Sequence, residues 1–355
     1  MKTSKKSINK VEEIKQKVLK HEEVRPKGPI TETNISEHRE ATIETAKKYK
    51  YPFQQAKHKI LIGASLALML VLVLFSVLSW WMLYIKQDTS DFYYTATKLV
   101  PIPVAKVDGE PVLYGDYMRR VRASIYYLEN QENRDLSTED GQRELNYTRR
   151  TNLNEAEKVA YARKITRENN IHVDDEAVDK NIVNTLKSGA DGGISERAFE
   201  NSIWRYYGWN MEDYRYIVRE RLLLREAMFA VDKKALQKVN DIEDQLNQGA
   251  NFADLVIGHS DDDATKENGG DSGIIRVGDV DSNGLISVAQ TLEPGGVSGV
   301  IKGVDAYYII KLTEKTNDSV RFVQIKISLH EFNEQFSSLN DQQKITECIT
   351  IDSDK

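Results

Sequence analysis

Residues 60–85 read ILIGASLALMLVLVLFSVLSWWMLYI, 26 residues without a charge. A hydrocarbon core about 30 Å thick is crossed by roughly 20 helical residues, so this run is long enough to span a bilayer, and a single water-soluble globule is excluded. A cleavable signal peptide is the competing reading, but it would carry a short basic leader and an apolar region of roughly 7–15 residues. The leader here is 59 residues long, which favours a signal-anchor that stays in the chain. Lys47, Lys48, Lys50, Lys57 and Lys59 precede the run, whereas Lys86, Asp88 and Asp91 follow it. Positive flanks are retained in the cytoplasm, so the expected topology is single-pass with a cytoplasmic N-terminus and residues 86–355 outside the cytoplasm. Trp80, Trp81 and Tyr84 stand at the outer end, where aromatic rings favour the headgroup zone.

Charge divides along the same line. Residues 1–59 carry a net +7, residues 60–85 none, and residues 86–355 a net −13, together the formal −6 of the chain. The acidic outer part excludes nucleic acid as its natural partner, which would call for a basic face. One cysteine, Cys348, permits no intramolecular disulfide. The six histidines show no ligand spacing, and no phosphate-binding or dinucleotide loop is present, so neither a metal nor a cofactor is expected. In residues 1–59, Ile8, Val11, Ile14 and Val18 mark one narrow helical face that Pro26 and Pro29 end. The remainder has too few large apolar residues for a core, and the segment reads as a largely disordered basic tail. It either lies against anionic lipid or a cytosolic partner, or simply satisfies the charge rule; the second reading is preferred.

Residues 86–103 read as a linker. Residues 104–112 then give a strand, a tight turn at Asp108-Gly109 and a second extended piece. Amphipathic helices are expected over 114–129 and 154–169, after Asp174 as N-cap (Val178, Ile182, Leu186), after Ser195 (Phe199, Ile203) and after Asn210 (Tyr214, Ile217, Val218, Leu222). Gly-rich residues 188–193 end the first of these capped helices. Each apolar stripe is read as core.

Three blocks, VAKVDGEPV, NNIHVDDEAVDKNIVNTL and ISERAFENSIWRYYGWNMEDYRYIVRERLLL, resemble in order the N-terminal chaperone region of the SurA, PrsA and PpiD group of extracytoplasmic foldases, over about 104–230. Residues 251–275, NFADLVIGHSDDDATKENGGDSGII, and 292–315, LEPGGVSGVIKGVDAYYIIKLTEK, resemble the opening and closing signatures of a parvulin-type (PpiC, rotamase) peptidyl-prolyl isomerase. The resemblance implies an α+β chain. It comprises one transmembrane helix, a mainly helical SurA-N-like domain (104–230), a small parvulin-like domain with a four-stranded antiparallel sheet (231–328), and a C-terminal helix and tail (329–355).

Rotation about an X-Pro amide faces a barrier near 20 kcal/mol and takes tens of seconds or more unaided. A catalyst needs no covalent step, only an apolar trap for the ring and polar groups that favour the twisted amide. The family resemblance implies two histidines on adjacent strands, a Cys or Asp between them, and a pocket of Leu, Met and Phe. Carried over by position, Asp262 takes the Cys/Asp place and Tyr308 the closing histidine. Ser272, Ile275, Val280 and Leu285 fall on the substrate pocket. His259 reads as structural. The strand bearing the first histidine is missing from its place before the first helix, since helix 220–229 runs on through 233–246. A substitute lies at 319–327, with Gln324 at the histidine position. A hairpin through 315–318 would deliver it to the vacant slot, a circularly permuted sheet; the rival readings assign 320–355 to the helical domain or to the remnant of a second repeat.

The expected function is a membrane-anchored folding factor that binds unfolded, newly exported polypeptide and carries a degenerate parvulin domain. Two alternatives stand beside it, an active isomerase using Asp262 and Tyr308, and a docking subunit of a membrane complex.

Overall fold

The computed structural model describes residues 31–50, 52–187 and 193–351. The helical face expected at Ile8 to Val18 and the helix end expected at 188–192 lie outside the described residues. The chain forms two compact units, Met1–Ser79 and Trp80–Lys355. In the first, α1 (Glu32–Lys50) is helical although the tail reads as largely disordered. Every residue from Thr31 to Lys47 is exposed, as expected of a segment with no core to bury, and the acidic Glu32 in its first turn suits the helix dipole. Helix α2 (Pro52–Trp80) continues into a π-helical turn, Trp81–Ile85. Leu61–Ile85 is long and apolar enough to cross a membrane, with a mean hydropathy of 2.8, and its side chains are exposed from Leu61 to Leu78.

The second unit begins with the end of that apolar run. Leu83 is buried in the main core of the unit, where the Tyr114 hydroxyl donates to its carbonyl at 2.5 Å. The stretch read as a linker is ordered. Gln87 is buried and donates to Thr350 O at 2.8 Å, and α3 (Asp91–Leu99) packs on the following helix with Thr97 buried. Its aromatic residues supply the reason, since Tyr93 and Tyr94 pack against the core and the Tyr94 hydroxyl donates to Asp213 at 2.6 Å.

Strands β1 (Pro103–Val107) and β2 (Glu110–Leu113) form the expected hairpin, with positive φ at Asp108 and Gly109, the pair a primed two-residue turn demands. Helices α4 (Tyr114–Asn130), α5 (Glu139–Glu168), α6 (Asp175–Lys187), α7 (Glu196–Tyr207) and α8 (Met211–Val231) follow. The caps lie where the sequence puts them: Asp174 accepts from Ala177 N at 2.8 Å, Ser195 from Ala198 N at 3.3 Å and Asn210 from Asp213 N at 2.9 Å. Helix α5 starts fifteen residues before the expected 154, capped by Thr138, which accepts from Gly141 N. The polar stretch 139–152 hid it. The stripes Val178, Ile182, Phe199, Ile203, Tyr214, Val218 and Leu222 close into one core, as read.

Asp232 separates α8 from α9 (Lys233–Asn247), and no strand intervenes. One carboxylate oxygen caps α9 through Ala235 N, and the other accepts from His330 N and Glu331 N at the start of a C-terminal helix. Burial pushes this carboxyl up, but the three backbone donors outweigh it and hold it below the ordinary range. Then come α10 (Phe252–His259), β3 (Ile275–Arg276), α11 (Leu285–Thr291), β4 (Ile301–Lys302), β5 (Ala306–Lys315), β6 (Ser319–Ser328), α12 (Glu331–Asp341) and β7 (Ile345–Glu347). The small sheet is four-stranded and antiparallel, in the order β3-β6-β5-β4. The chain then returns: β7 pairs with β1 to give the order β2-β1-β7, and Phe332, Phe336 and Leu339 enter the core of the first hairpin and helices. Strand 319–328 thus belongs to the small sheet, while the segment after it belongs to the helical domain.

Under β7 lies a strained ionisable group. Glu157 is 3% exposed, and its Oε1 finds no hydrogen-bond partner among the described residues. Burial pushes its carboxyl up to about 7, the nearby Glu347 carboxylate adds to this, and Arg150, 2.6 Å from Glu347, opposes it. The folded chain therefore holds a proton through a window, from about pH 4.3 to 7, in which the unfolded chain has released it. Stability falls as pH rises through that window and levels off above it. Glu157→Gln is expected to be more stable than the parent by about 2–3 kcal/mol at pH 8 and by under about 1 kcal/mol at pH 5. Urea unfolding followed by circular dichroism at the two pH values measures this, and an equal difference at both would remove Glu157 as the cause.

Candidate functional site

The site is built on the hairpin β5–β6. Alternation sends Tyr307, Ile309, Ile325 and Ile327 to one face, where they pack on Phe229, Val239, Ile242, Phe252 and Val256 from α8, α9 and α10. Tyr308, Ile310, Leu312, Val320 and Phe322 take the other face, closed by Leu285, Ile286 and Ala289 of α11. Gln324 pairs across from Ile310, and Lys326 from Tyr308, so Gln324 shares the Tyr308 face two residues beyond Phe322.

The segment after α10 runs along the outer end of β6. Asp261 N donates to Lys326 O at 2.8 Å, and Ser260 Oγ accepts from Lys326 N at 3.1 Å. This brings Asp262 over Gln324. Gln324 Nε2 donates to Asp262 Oδ2 at 2.5 Å, and Thr265 Oγ1 donates to the same oxygen at 2.6 Å. Tyr308 is 4% exposed, and burial, then the carboxylates of Asp305 and Asp262, push its hydroxyl up to about 12. Two glycines permit the arrangement. A Cβ on Gly270 (φ +83°) would sit 2.4 Å from Gln324 O, and one on Gly303 would sit 2.6 Å from the Tyr308 ring and 2.7 Å from Asn283 Oδ1.

Asp262, Gln324 and Tyr308 are therefore gathered on one face from three separate stretches of chain. The pocket assignments fare unevenly. Leu285 is buried at the start of α11 in the same apolar cluster as Tyr308, and Ile275, paired with Val320, packs against its margin. Ser272 commits its hydroxyl to the sheet, accepting from Phe322 N at 3.2 Å and donating to Gly273 O at 2.9 Å. Val280 is 76% exposed in the loop before α11. His259 lies on the opposite side of the sheet, lining a groove of about 290 Å³ with Lys234, Lys238 and Ile242. Thr265, Asn283 and Gly303 escaped the sequence reading; a hydroxyl three residues after Asp262 was the one legible hint. Among the described residues no cluster of three or more His, Cys, Asp or Glu is placed to hold a metal ion.

Chemically, this face offers an apolar floor, a carboxylate, an amide and a phenol. Gln324 has no titrating group, and Tyr308 keeps its proton near neutrality. The groups can orient and hydrogen-bond a peptide carbonyl or N–H, without imidazole chemistry.

Comparison with known proteins agrees with this architecture. A family model described as the PPIC-type PPIASE domain matches residues 223–314, and one described as the SurA-like N-terminal domain matches residues 53–228. Foldase protein PrsA 2 of Bacillus cereus is 25% identical over 162 residues, 40% of this chain and 54% of that protein. This chain thus spans about half the length of the curated relative it matches. Among solved structures, the peptidylprolyl isomerase PrsA of Bacillus anthracis is 19% identical, with 51% of this chain and 82% of that chain covered and a TM-score of 0.18. PrsA of Bacillus subtilis is 16% identical, with 57% and 80% covered and a TM-score of 0.20. With the two domain models matched in succession and a PrsA foldase among its relatives, the chain is SurA/PrsA-like in its domain order, a SurA-like N-terminal domain followed by a PPIC-type PPIase domain.

Proposed function

We propose that this chain is a single-pass, N-in membrane foldase that binds unfolded, newly exported polypeptide outside the cytoplasm, and that its parvulin-type domain is a weak isomerase. The observation that carries the second half is the Gln324 amide held on Asp262 beside a Tyr308 hydroxyl pushed up to about 12, at the two positions to which the resemblance assigns histidines. The anchoring half is supported by the apolar helix Leu61–Ile85 and by the +7 and −13 charges on either side of the apolar run. Client binding is supported by aromatic side chains on α7, where Trp204 is 59% exposed and Tyr206 and Tyr207 are partly so. Such a surface suits extended chains with bulky side chains.

The parvulin-type sheet is, in this reading, circularly permuted, with β6 supplying the strand that the family places before its first helix. In support, β6 lies between β3 and β5, joined to β5 by the short turn at residues 316–318, while the family match ends at residue 314.

The full chain in lipid nanodiscs tests the proposal by two measurements. Isomerisation of a proline-containing peptide is expected to proceed at nearly the buffer rate, and aggregation of several unrelated unfolded clients is expected to be suppressed. A rate far above buffer would make the chain a working isomerase. Tight binding of one partner with no suppression of any client would make it a docking subunit.

A further inference from the structure

Strand β7 and the residues after it fill their seat imperfectly. From Ile345 to Ile351 the side chains alternate: Thr346, Cys348 and Thr350 are exposed, whereas Ile349 and Ile351 are buried in the core and Ile345 packs against it. Glu347 holds the remaining inward place, across from the fully buried Ala105 and 2.6 Å from Arg150 of α5. Beneath this row, polar atoms go without partners. Glu157 Oε1 and Arg149 Nε of α5, the Tyr117 hydroxyl of α4 and Gln87 Oε1 are buried and make no hydrogen bond among the described residues. They lie under one stretch of chain. Glu347 interacts electrostatically with Glu157 and with Tyr117, Tyr117 also with Arg149, and Gln87 Nε2 donates to Thr350 O. Buried polar groups are normally paired, so a seat with four unpaired ones is poorly matched to its own occupant.

We propose that residues 345–351 are a placeholder, and that an extended segment of an unfolded client takes their place on the edge of β1. The proposal rests on the client binding put forward above and adds a surface for it. The seat is held by backbone bonds that any extended chain can make: Asp108 N donates to Lys344 O and Cys348 N to Val104 O, both at 2.8 Å, beside three paired positions. The link to the rest of the fold is short and strained, since α12 ends at Asp341 and Gln343 has a φ of +54°, the left-handed region that is costly for a residue with a side chain. Departure of 345–351 leaves Phe332, Phe336 and Leu339 of α12 in the core, so the helix stays in place. The seat also defines what fits it. The places of Ile345, Ile349 and Ile351 call for apolar side chains at alternate residues, the pattern of an unfolded strand. The place of Glu347 calls for an uncharged donor such as Gln or Asn, which bonds Glu157 and frees Arg150 to pair with the same carboxylate. Lys or Arg there would face Arg149 and Arg150, and an acid repeats the present mismatch.

The test locks the strand in place. The full chain in lipid nanodiscs carries Cys348→Ser, which removes its exposed thiol, with Lys106→Cys and Thr346→Cys at a directly paired, exposed position. Oxidation ties β7 to β1 and reduction releases it; circular dichroism checks that both forms are folded. The probe is a fluorescent peptide with the sequence of residues 344–351 carrying Glu347→Gln and Cys348→Ser. The reduced protein is expected to bind it, and the oxidised protein to bind at least about tenfold more weakly. Suppression of aggregation of cysteine-free unfolded clients is expected to fall on oxidation as well. Equal binding of the probe in both forms would overturn the proposal and place the probe elsewhere. Failure of the reduced form to bind, with clients still protected, would overturn it and leave the foldase reading standing. Dimerisation of the reduced protein that the lock abolishes would overturn it in favour of a second copy of this chain on the edge. Absence of client protection in both forms would overturn the client binding, and this proposal with it.

Discussion

The double replacement Tyr308→His with Gln324→His is expected to raise the peptide isomerisation rate of this chain by about 10²-fold, the effect of restoring preorganised polar groups at a dry reacting face. The scaffold for them is already present. Asp262 is held by Thr265 and lies 2.5 Å from the Gln324 amide, so an imidazole at 324 inherits a carboxylate that sets its tautomer and orientation. An imidazole at 308 is smaller than the phenol and keeps clear of Gly303 and Asn283, which now line the ring. Each single replacement is expected to give less than its share, because groups that act as a unit are not additive. Tyr308 is a core residue, so folding of the double variant is checked by circular dichroism, and Gln324→His, at a half-buried position, serves as the safer companion. A folded double variant with the parent's rate would show that this face does not take the proline ring.

Glu220→Ala is expected to lower stability by about 3 kcal/mol, at the lower end of what is lost when one member of a buried ion network is removed. Glu220, on α8, is buried and accepts from Arg120 Nη2 of α4 at 2.5 Å and from Arg163 Nη2 of α5. The same network holds Asp116, which accepts from Arg163 and from the Tyr216 hydroxyl, while the Arg119 guanidinium stacks 3.9 Å from the Tyr216 ring. Arg163 keeps Asp116 when Glu220 is removed. Arg120 does not fare so well: its Nε already lacks a partner among the described residues, and it would lose its carboxylate at a position where its side chain is 15% exposed. The exposed pair Glu139–Arg143 on α5 provides the contrast, since breaking it is expected to change stability by under about 1 kcal/mol. Urea unfolding of both variants decides; equal small losses would mean that water reaches Arg120 and solvates it.

The legible parts of this protein were the local ones. A cap reads from three or four residues, so Asp174, Ser195 and Asn210 announced their helices, and Asp108-Gly109 announced its turn. Asp262, Tyr308 and Gln324 were all named through the family resemblance, Gln324 by the first-strand pattern it implies, and the structure puts the Gln324 amide on the Asp262 carboxylate. Residues 86–103 misled because Pro101 and Pro103 look like a tether, whereas the ordering of α3 depends on Asp213 and Thr350, more than a hundred residues away.

By itself, then, the sequence determined the apolar helix and its flanking charges, the helical stripes, and the chemical character of the site, all of them set by residue type over a few neighbours. Only the tertiary structure decided where β6 sits, that β7 returns to β1, that Leu83 ends inside a core, and that Gln324 meets Asp262. A period-two strand shows which of its faces is apolar, but its backbone bonds equally well to any edge. The choice between edges is made by packing between residues 60 to 240 positions apart, as in Asp262 with Gln324 and Ala105 with Glu347, and no local pattern records it.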